Sequence, residues 1–468
     1  MTDRRSFIKK MAMASIATSM PDILFSKQKE TLIATDNNLK NEDDLFSIGW
    51  AVADITPPRR VALIGQFHKR ISESVQDPLK ATILALETRD NNGNVEQAIM
   101  VSCDLTFIRG QTQKKLQEVI AQKLTDFDSS KLFLNATHTH TAPGLMDGEF
   151  FGVYDTSDDP SIMIPSEFET FFIEKVSDAI VVAWNNRKSG GFSWGLGNAS
   201  LGHNRRTVNF DGTAGMYGVS NPNFSHYEGT NDNKIQLLFF WDNNKKLTGI
   251  LINAAITAQV TGGTSFISAD FFHEVRQSIK RKYGEDIFVF FQLSAAGDIT
   301  PANHENIYKR AENIMLKRKG ISARQELANR MSQAVDEVMP YAKDDIMYQP
   351  IFKHTVEKVS LPVKDPASLP FYIVDDVNPA EIHIIRLGDI AIASNPFELF
   401  IDYGMLIKAR SKAVLTFIVQ LSCHHSGYLP TLRAAEGGGY SADKYLVGPE
   451  GGQVLVDETT RLINEMWE

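Results

Sequence analysis

The sequence predicts one large mixed α/β domain that spans residues 45–468. From Phe46 onward, strand-like and helix-like patterns alternate without a low-complexity break or a Ser/Pro-rich linker. The chain is 43% hydrophobic, which is ordinary for a globular protein and excludes a mainly disordered one. Its two cysteines, Cys103 and Cys423, are too few for a disulfide framework, and their spacing does not determine whether they pair. Stability must therefore come from a large core.

Charge and hydropathy exclude two classes of protein. The formal net charge is −9 at pH 7, whereas a general nucleic-acid binder usually carries a basic surface. The sequence contains no apolar run near the roughly 18–20 residues that a membrane-spanning helix needs. We therefore expect neither a nucleic-acid partner nor a transmembrane segment.

The N-terminus has the layout of an export signal. Residues 4–9 read Arg-Arg-Ser-Phe-Ile-Lys, and a mildly apolar stretch follows over Met11–Met20. This arginine pair resembles a twin-arginine signal, which exports folded proteins. We therefore predict a signal over residues 1–30, a flexible tether over residues 31–44, and a periplasmic or secreted location. The alternative is a frayed amphipathic helix.

Two β-hairpins are predicted from turn residues between apolar runs. The first joins residues 80–86 to residues 98–103 through an Asn- and Gly-rich turn. The second joins residues 235–241 to residues 247–251 through Asp-Asn-Asn-Lys. Both pairs of strands should be neighbours in a sheet.

Two helices are predicted from their starts. Ser166 with Glu169, and Ser322 with Gln325, fit the capping box that satisfies free backbone donors at a helix N-terminus. Apolar residues then recur at helical spacing, and we expect these faces to lie in the core rather than against a cofactor.

A His-x-His segment follows a buried-looking strand, residues 132–136. Because side chains two apart on a strand point to one side, His138 and His140 are expected to face one cavity. Neutral imidazole is a common ligand of Zn²⁺, and a second imidazole nearby can orient or protonate a bound group. The alternative is a pair that only hydrogen-bonds loop carbonyls.

Further candidate residues follow other predicted strands. The strand Phe288–Leu293 ends in small residues and Gly297, which allow a ligand close to the backbone. Glu398 is predicted on the first turn of a helix after the strand Asp389–Ser394, where a carboxylate also suits simple helix-start electrostatics. Tyr428 and Tyr440 lie in Gly-rich sequence, and either can equally be a packed aromatic.

Taken in order, several segments resemble the neutral (non-lysosomal) ceramidase family. The His-x-His and Gly-Asp-x-Thr-Pro segments are the most specific of them. The resemblance runs from about residue 47 to 450 and implies the mixed α/β fold of the ceramidase catalytic domain. Members of the family are zinc amidohydrolases that cleave the N-acyl bond of ceramide. The segments are Gly49–Pro57, Thr137–Gly144, Asn204-Arg205, Gly297–Pro301, Asn395–Glu398, Tyr428 and Tyr440.

The resemblance also implies a site. It assigns zinc ligation to His138, Glu398 and Tyr428. It assigns catalytic roles to four further residues: His140 at the substrate amide, Arg205 in the active site, Tyr440 in stabilising the transition state, and Thr300 in place of a family serine with nucleophilic or binding roles.

The chain departs from the family in three ways. Relatives carry a second zinc histidine where residues 253–260 have none, so His273 or Gln259 is expected to replace it, unless the metal site has decayed. Thr300 keeps the hydroxyl of the family serine but adds a methyl group. The C-terminal immunoglobulin-like domain of longer ceramidases is also expected to be missing, which weakens the case for ceramide itself.

Together these observations predict an exported Zn²⁺-dependent hydrolase. Its substrate would be a small-molecule or lipid amide, either ceramide or a related N-acyl compound, cleaved by metal-activated water. The rival prediction is a non-catalytic relative that keeps the fold and binds a ligand, because the histidine near residue 256 is missing. The sequence makes no prediction of oligomeric state.

Overall fold

A computed structural model of the chain describes residues 46–89, 93–301, 308–363, 378–443 and 445–468. The predicted signal and tether lie outside these residues. Within them, no helix combines the length and the apolar character needed to cross a membrane. Cys103 and Cys423 are both buried as free thiols.

The secondary structure alternates strands and helices along the whole described chain. The helices are α1 (Gly110–Lys123), α2 (Glu149–Gly152), α3 (Pro165–Asn185), α4 (Phe271–Tyr283), α5 (Lys309–Lys319), α6 (Ala323–Ala342), α7 (Ile401–Arg410), α8 (Leu432–Gly437) and α9 (Pro449–Glu465). The strands are β1 (Ser47–Asp54), β2 (Ala62–Leu63), β3 (Arg70–Ile71), β4 (Ser74–Val75), β5 (Lys80–Arg89), β6 (Val95–Cys103), β7 (Leu132–Ala136), β8 (Lys188–Asn198), β9 (Gly202–Asn204), β10 (Arg206–Asn209), β11 (Ala214–Met216), β12 (Phe224–Tyr227), β13 (Lys234–Asp242), β14 (Leu247–Ala254), β15 (Phe266–Ile267), β16 (Phe288–Leu293), β17 (Ile299–Pro301), β18 (Phe352–Val359), β19 (Ala380–Leu387), β20 (Ile390–Ser394), β21 (Glu398–Leu399), β22 (Leu415–Val419) and β23 (Tyr428–Leu429).

The core is built on an eight-stranded sheet with the order β16-β14-β13-β8-β1-β5-β6-β7. Most neighbours are antiparallel, but β6–β7 and β14–β16 are parallel pairs. The two edge strands of this sheet, β16 and β7, approach each other. There the Asn135 side-chain amide of β7 donates to the Phe291 carbonyl of β16 at 3.0 Å.

A second sheet, ordered β18-β19-β20-β22, packs against one face of the first. Alternate side chains separate the two faces of each strand, as a period of two requires. Leu84 of β5 and Ile385 of β19 enter the core between the sheets, whereas Ile83 and Ile384 belong to the core on the helix-covered faces. Helices α3 and α6 cover the first sheet, and α7 and α9 contact the second.

The structure confirms both predicted hairpins. β5 pairs with β6 in the antiparallel register Ala81↔Cys103, and β13 pairs with β14 in the register Ile235↔Ala254. Turn residues and apolar runs are close in sequence, and such local signals suffice to specify a hairpin.

One predicted helix start is correct and the other is wrong. Ser322 caps α6 in a reciprocal pair with Gln325, as expected. Helix α3 instead begins at Pro165, so Ser166 lies in its first turn rather than at the cap. The Glu167 carboxylate accepts from the Ile164 backbone N–H at 3.3 Å. Proline at the first helical position needs no N–H partner, which explains the earlier start.

Parallel strand pairs position the candidate site. In each of the pairs β6–β7, β14–β16 and β20–β22, the strands end on the same side, and loops leave from their carboxyl ends. Ligand sites of α/β proteins commonly lie at such ends. The loops after β6, β7, β20 and β22 carry the residues described below.

Candidate active site

A small cavity of about 40 Å³ lies where these loops meet. Its wall combines imidazole, carboxylate and phenol groups with phenylalanine rings. The lining residues are Gly65, Phe67, Thr106, Phe107, His138, His140, Phe150, Glu398, His425, Tyr428 and Tyr440. The cavity therefore gathers five of the residues that the sequence singled out, from four separate segments: His138, His140, Glu398, Tyr428 and Tyr440.

Both histidines of the His-x-His segment face this cavity, but not for the predicted reason. Strand β7 ends at Ala136, before either histidine. His138 takes a left-handed backbone conformation, with φ of 60°. A non-glycine residue seldom adopts this region, and such strain often marks a functional site. The turn, rather than strand alternation, brings the rings together with their centroids 4.8 Å apart.

The His138 ring is fixed by a backbone carbonyl. Its Nδ1 lies 2.7 Å from the Thr106 carbonyl oxygen, which can only accept, so Nδ1 carries the proton. Burial lowers the pKa of His138, although the Glu398 carboxylate opposes that shift. The neutral ring therefore presents an unprotonated Nε2, and this atom lies 3.5 Å from Glu398 Oε2.

His140 stands beside His138 within a close-fitting loop. Its Nε2 is 3.3 Å from His138 Nε2, and the Gln259 side-chain amide lies 3.0 Å from the same nitrogen. Burial and the neighbouring His138 hold the pKa of His140 well below its usual range. Gly65 passes over the ring with φ of 96°, and a Cβ there would lie 2.5 Å from His140 Cγ. A glycine is required at that position.

Glu398 reaches the cavity from a short strand, not from the predicted helix. It belongs to β21, which pairs in parallel with β23 in the register Glu398↔Tyr428, and α7 begins only at Ile401. The Glu398 backbone N–H donates to the Gly427 carbonyl at 2.9 Å. Because this bond to a distant loop holds the backbone at Glu398 in an extended conformation, the helix begins later than predicted. It also places Glu398 and Tyr428 side by side.

The Glu398 carboxylate is ionised inside the protein. Burial alone would raise its pKa, but His138, His425 and a hydrogen bond from Tyr428 outweigh it and bring the pKa to about 2. His425 Nε2 lies 3.3 Å from Glu398 Oε1. The two carboxylate oxygens therefore face different imidazoles.

The two tyrosines form the opposite side of the cavity. Their hydroxyl oxygens are 3.3 Å apart, and the Arg205 guanidinium donates to the Tyr428 hydroxyl at 3.1 Å. Burial raises the pKa of both phenols, so both remain protonated. Arg205 also donates to the Gly297 carbonyl at 2.7 Å. It lies behind Tyr428 rather than in the cavity wall.

Solved structures share this architecture. A ceramidase complexed with C2 superposes with a TM-score of 0.68 and 16% sequence identity, covering 91% of this chain and 76% of the other. A neutral ceramidase from Pseudomonas aeruginosa also gives a TM-score of 0.68 and 16% identity, covering 90% and 75%. The fold is that of the neutral ceramidases. No family model and no curated protein matches the sequence.

The match to ceramidase structures confirms the predicted fold class and the resemblance on which it rested. At 16% identity the likeness concerns the fold. The roles of individual residues remain predictions, supported by the positions described above.

His273 and Thr300 lie away from the described cavity wall. His273 occupies the first turn of α4, where its backbone N–H donates to the Asp270 carbonyl at 3.0 Å. Thr300 lies in β17, and its hydroxyl is 3.4 Å from the Tyr217 hydroxyl. Gln259, the other replacement considered for the family histidine, is the one that contacts the site.

Sequence reasoning missed His425 and Phe107. The two rings are stacked, with centroids 4.3 Å apart, and His425 holds Glu398 from the side opposite His138. The His424-His425 pair directly before the Ser-Gly-Tyr segment was an available signal. Phe107 gave none, because a phenylalanine after a strand is normally a core residue.

Proposed function

We propose that this chain is a zinc-dependent hydrolase that cleaves an N-acyl amide bond, in ceramide or a related N-acyl compound. Support comes from the likeness to neutral ceramidase structures together with the chemistry of the cavity. The residues that would hold the metal are His138, Glu398 and Tyr428. We also propose export by a twin-arginine signal, based on residues 1–30.

One observation carries the metal assignment. His138 Nε2 and Glu398 Oε2 face each other at 3.5 Å, and neither atom bears a proton. Two facing acceptors repel unless a proton or a metal cation lies between them, and burial disfavours the protonated imidazole. With metal–ligand bonds of about 2.0 Å and tetrahedral angles, two ligand atoms lie about 3.3 Å apart. The donor set therefore fits Zn²⁺.

A bound zinc ion would supply Lewis-acid polarisation of a carbonyl and a lowered pKa for a water molecule. The chain's own residues would handle the protons. The pKa of His140 is held well below its usual range, so the ring is neutral, and its Nε2 lies 3.0 Å from the Gln259 side-chain amide and 3.3 Å from His138 Nε2. It is placed to take a proton from water and return it to the departing amine.

The tyrosines would stabilise the developing negative charge. Tyr440 presents a protonated hydroxyl to the cavity, where it can donate to an oxyanion on the substrate carbonyl. Arg205 acts through Tyr428, because its guanidinium donates to that hydroxyl. We therefore assign Arg205 a positioning role and leave Thr300 outside the reacting atoms.

The direct test compares zinc content and hydrolysis in two histidine variants. His138→Ala should lose one zinc equivalent per chain and all detectable hydrolysis of an N-acyl substrate panel that includes ceramide. His226→Ala is the matched control, because that imidazole is exposed on β12. It should keep both properties. Metal analysis of purified protein and product detection by mass spectrometry provide the measurements.

The rival function is binding without catalysis, and the lack of a histidine over residues 253–260 favours it. Unchanged zinc content in His138→Ala would show that the ligand assignment is wrong. Failure of the wild-type chain to hydrolyse any member of the panel, despite bound zinc, would favour the ligand-binding relative.

A further inference from the structure

A second cluster of ligand-type side chains lies between the two sheets, outside the cavity. Glu381 and His383 stand two apart on β19 and so share a face, and Cys423 approaches them from the loop after β22. One donor atom from each of the three lies within 4.8 Å of the others. The proposed hydrolase activity uses none of them.

The protons of this cluster can be assigned from one fixed acceptor. His354 Nδ1 lies 2.9 Å from the Gln97 carbonyl, so it carries the proton and its Nε2 is an acceptor. That Nε2 lies 3.0 Å from His383 Nδ1, which must therefore donate. A neutral His383 then presents an unprotonated Nε2, which faces Glu381 Oε1 at 3.4 Å.

Two acceptors again face each other, and the imidazole of this pair is fully buried. His383 is 0% exposed, and the Phe133 ring lies 4.6 Å from it, centroid to centroid. Keeping an imidazolium charge in such surroundings is costly. A cation between the imidazole, the carboxylate and the adjacent thiol removes the conflict.

We propose that Glu381, His383 and Cys423 bind a structural Zn²⁺ ion between the sheets. Sulfur, imidazole nitrogen and carboxylate oxygen are the three donor types that zinc uses in proteins. The separation of 3.4 Å between Glu381 and His383 is close to the spacing of about 3.3 Å between tetrahedral ligands. Glu381 is 20% exposed at its side chain, so water can supply a fourth ligand.

The groups behind these ligands have the arrangement of a metal site. A zinc-bound histidine normally donates its other ring N–H to a fixed acceptor, as His383 does to His354. Cys423 has a left-handed backbone with φ of 66°, and its N–H is held by the Leu134 carbonyl at 3.0 Å. The backbone of Cys423 is therefore held in place without an ion.

This site would hold the loop that serves the cavity. Cys423 lies two residues before His425, which stacks on Phe107 and contacts Glu398. An ion bound to the thiol would anchor that loop to β19. The proposal stands on the inter-sheet geometry alone and does not depend on the hydrolase activity.

Cobalt substitution of the full chain tests the proposal. Co²⁺ bound to a thiolate gives a ligand-to-metal charge-transfer absorption, and no cysteine lines the described cavity wall. The metal-free wild-type chain titrated with Co²⁺ should show this absorption, and added Zn²⁺ should remove it. Cys423→Ser should lose it, whereas Cys103→Ser should keep it, because Cys103 is the other buried thiol and lies on β6.

A second, milder substitution separates loss of metal binding from loss of folding. His354→Gln leaves all three ligands in place and should weaken Co²⁺ binding about 10- to 100-fold. Absence of the thiolate absorption from the wild-type chain at saturating Co²⁺ would overturn the proposal. Persistence of the absorption in Cys423→Ser would do the same.

Discussion

Two places in this molecule set an imidazole nitrogen against a carboxylate oxygen at nearly the same distance. His138 faces Glu398 at 3.5 Å in the cavity, and His383 faces Glu381 at 3.4 Å between the sheets. In both, a carbonyl oxygen fixes the tautomers, directly for His138 and through His354 for His383. The two pairs therefore offer a cation the same kind of contact.

Their surroundings differ. The cavity pair is bordered by a second histidine and two phenols, which can move protons and donate to a developing oxyanion. The inter-sheet pair is bordered by a thiol and a phenylalanine ring, and a thiolate closes a zinc site rather than assisting hydrolysis. We therefore propose that similar donor pairs serve catalysis in the cavity and structure between the sheets, depending on the groups around them.

Replacing the imidazole next to each facing pair should separate the two roles most strongly. These imidazoles are His140 beside the cavity pair and His354 beside the inter-sheet pair. His140→Ala should lower kcat about 10²- to 10⁴-fold, equivalent to roughly 3–5 kcal/mol, without changing zinc content, because it removes the general base and no ligand. The parallel variant His354→Ala should lower the melting temperature and change kcat by about tenfold at most. Steady-state kinetics and thermal unfolding measure both.

Two outcomes would contradict a catalytic role for the cavity and a structural role for the inter-sheet cluster. An equal fall in kcat in both variants would mean that the inter-sheet cluster takes part in turnover. Loss of zinc from His140→Ala would make His140 a ligand rather than a base.

The carboxyl groups near the cavity should respond to pH in opposite directions. Glu398 has its pKa lowered to about 2, whereas burial raises the pKa of Asp298 to about 6. Asp298 accepts from the Ile401 backbone N–H at 2.8 Å and from the Asn204 amide at 2.7 Å. The preceding residue, Gly297, donates its backbone N–H to the Leu399 carbonyl of the strand that carries Glu398, at 2.8 Å.

The free energy of unfolding should therefore fall as Asp298 ionises with rising pH. Its folded pKa lies above the unfolded value near 3.8, so its contribution is fully present below about pH 4 and is lost as pH rises to about 6. The change is about 3 kcal/mol in the free energy of unfolding. Denaturant titrations from pH 4 to 7 should show this decline in wild type, and Asp298→Asn should remove it. Parallel curves for the two proteins would contradict the assignment.

Local signals in the sequence predicted much of the fold and identified several side chains of the candidate site, but not how the backbone places them. Turn residues between apolar runs specify the hairpins β5–β6 and β13–β14 without reference to the rest of the chain. The His-x-His segment identified the right side chains. The reason was wrong, because the strand ends at Ala136 and the turn at His138 orients the rings.

What the sequence could not show depends on contacts between distant segments. Glu398 was expected in a helix, but its pairing with Tyr428 extends the backbone and decides where the carboxylate points. Cys423 and His383 are 40 positions apart, and only the packing of one sheet on another brings them together. Neither relation leaves a period or a motif in the sequence.

The substitution with the smallest expected effect tests whether the phenol groups give the cavity a catalytic role that the inter-sheet cluster lacks. Tyr440→Phe removes one hydroxyl that lies 3.3 Å from the Tyr428 hydroxyl and keeps the ring against Phe67. Loss of one hydrogen bond to a developing charge should lower kcat about 10- to 100-fold, or roughly 1.5–3 kcal/mol, with little change in KM.

The matched control is Tyr341→Phe, because that ring is 79% exposed on α6. It should leave kcat and KM unchanged. If Tyr440→Phe instead raised KM at constant kcat, the hydroxyl would bind substrate in the ground state and would not act on the transition state. The catalytic role of the cavity would then rest on His140, because both clusters already share the facing imidazole and carboxylate.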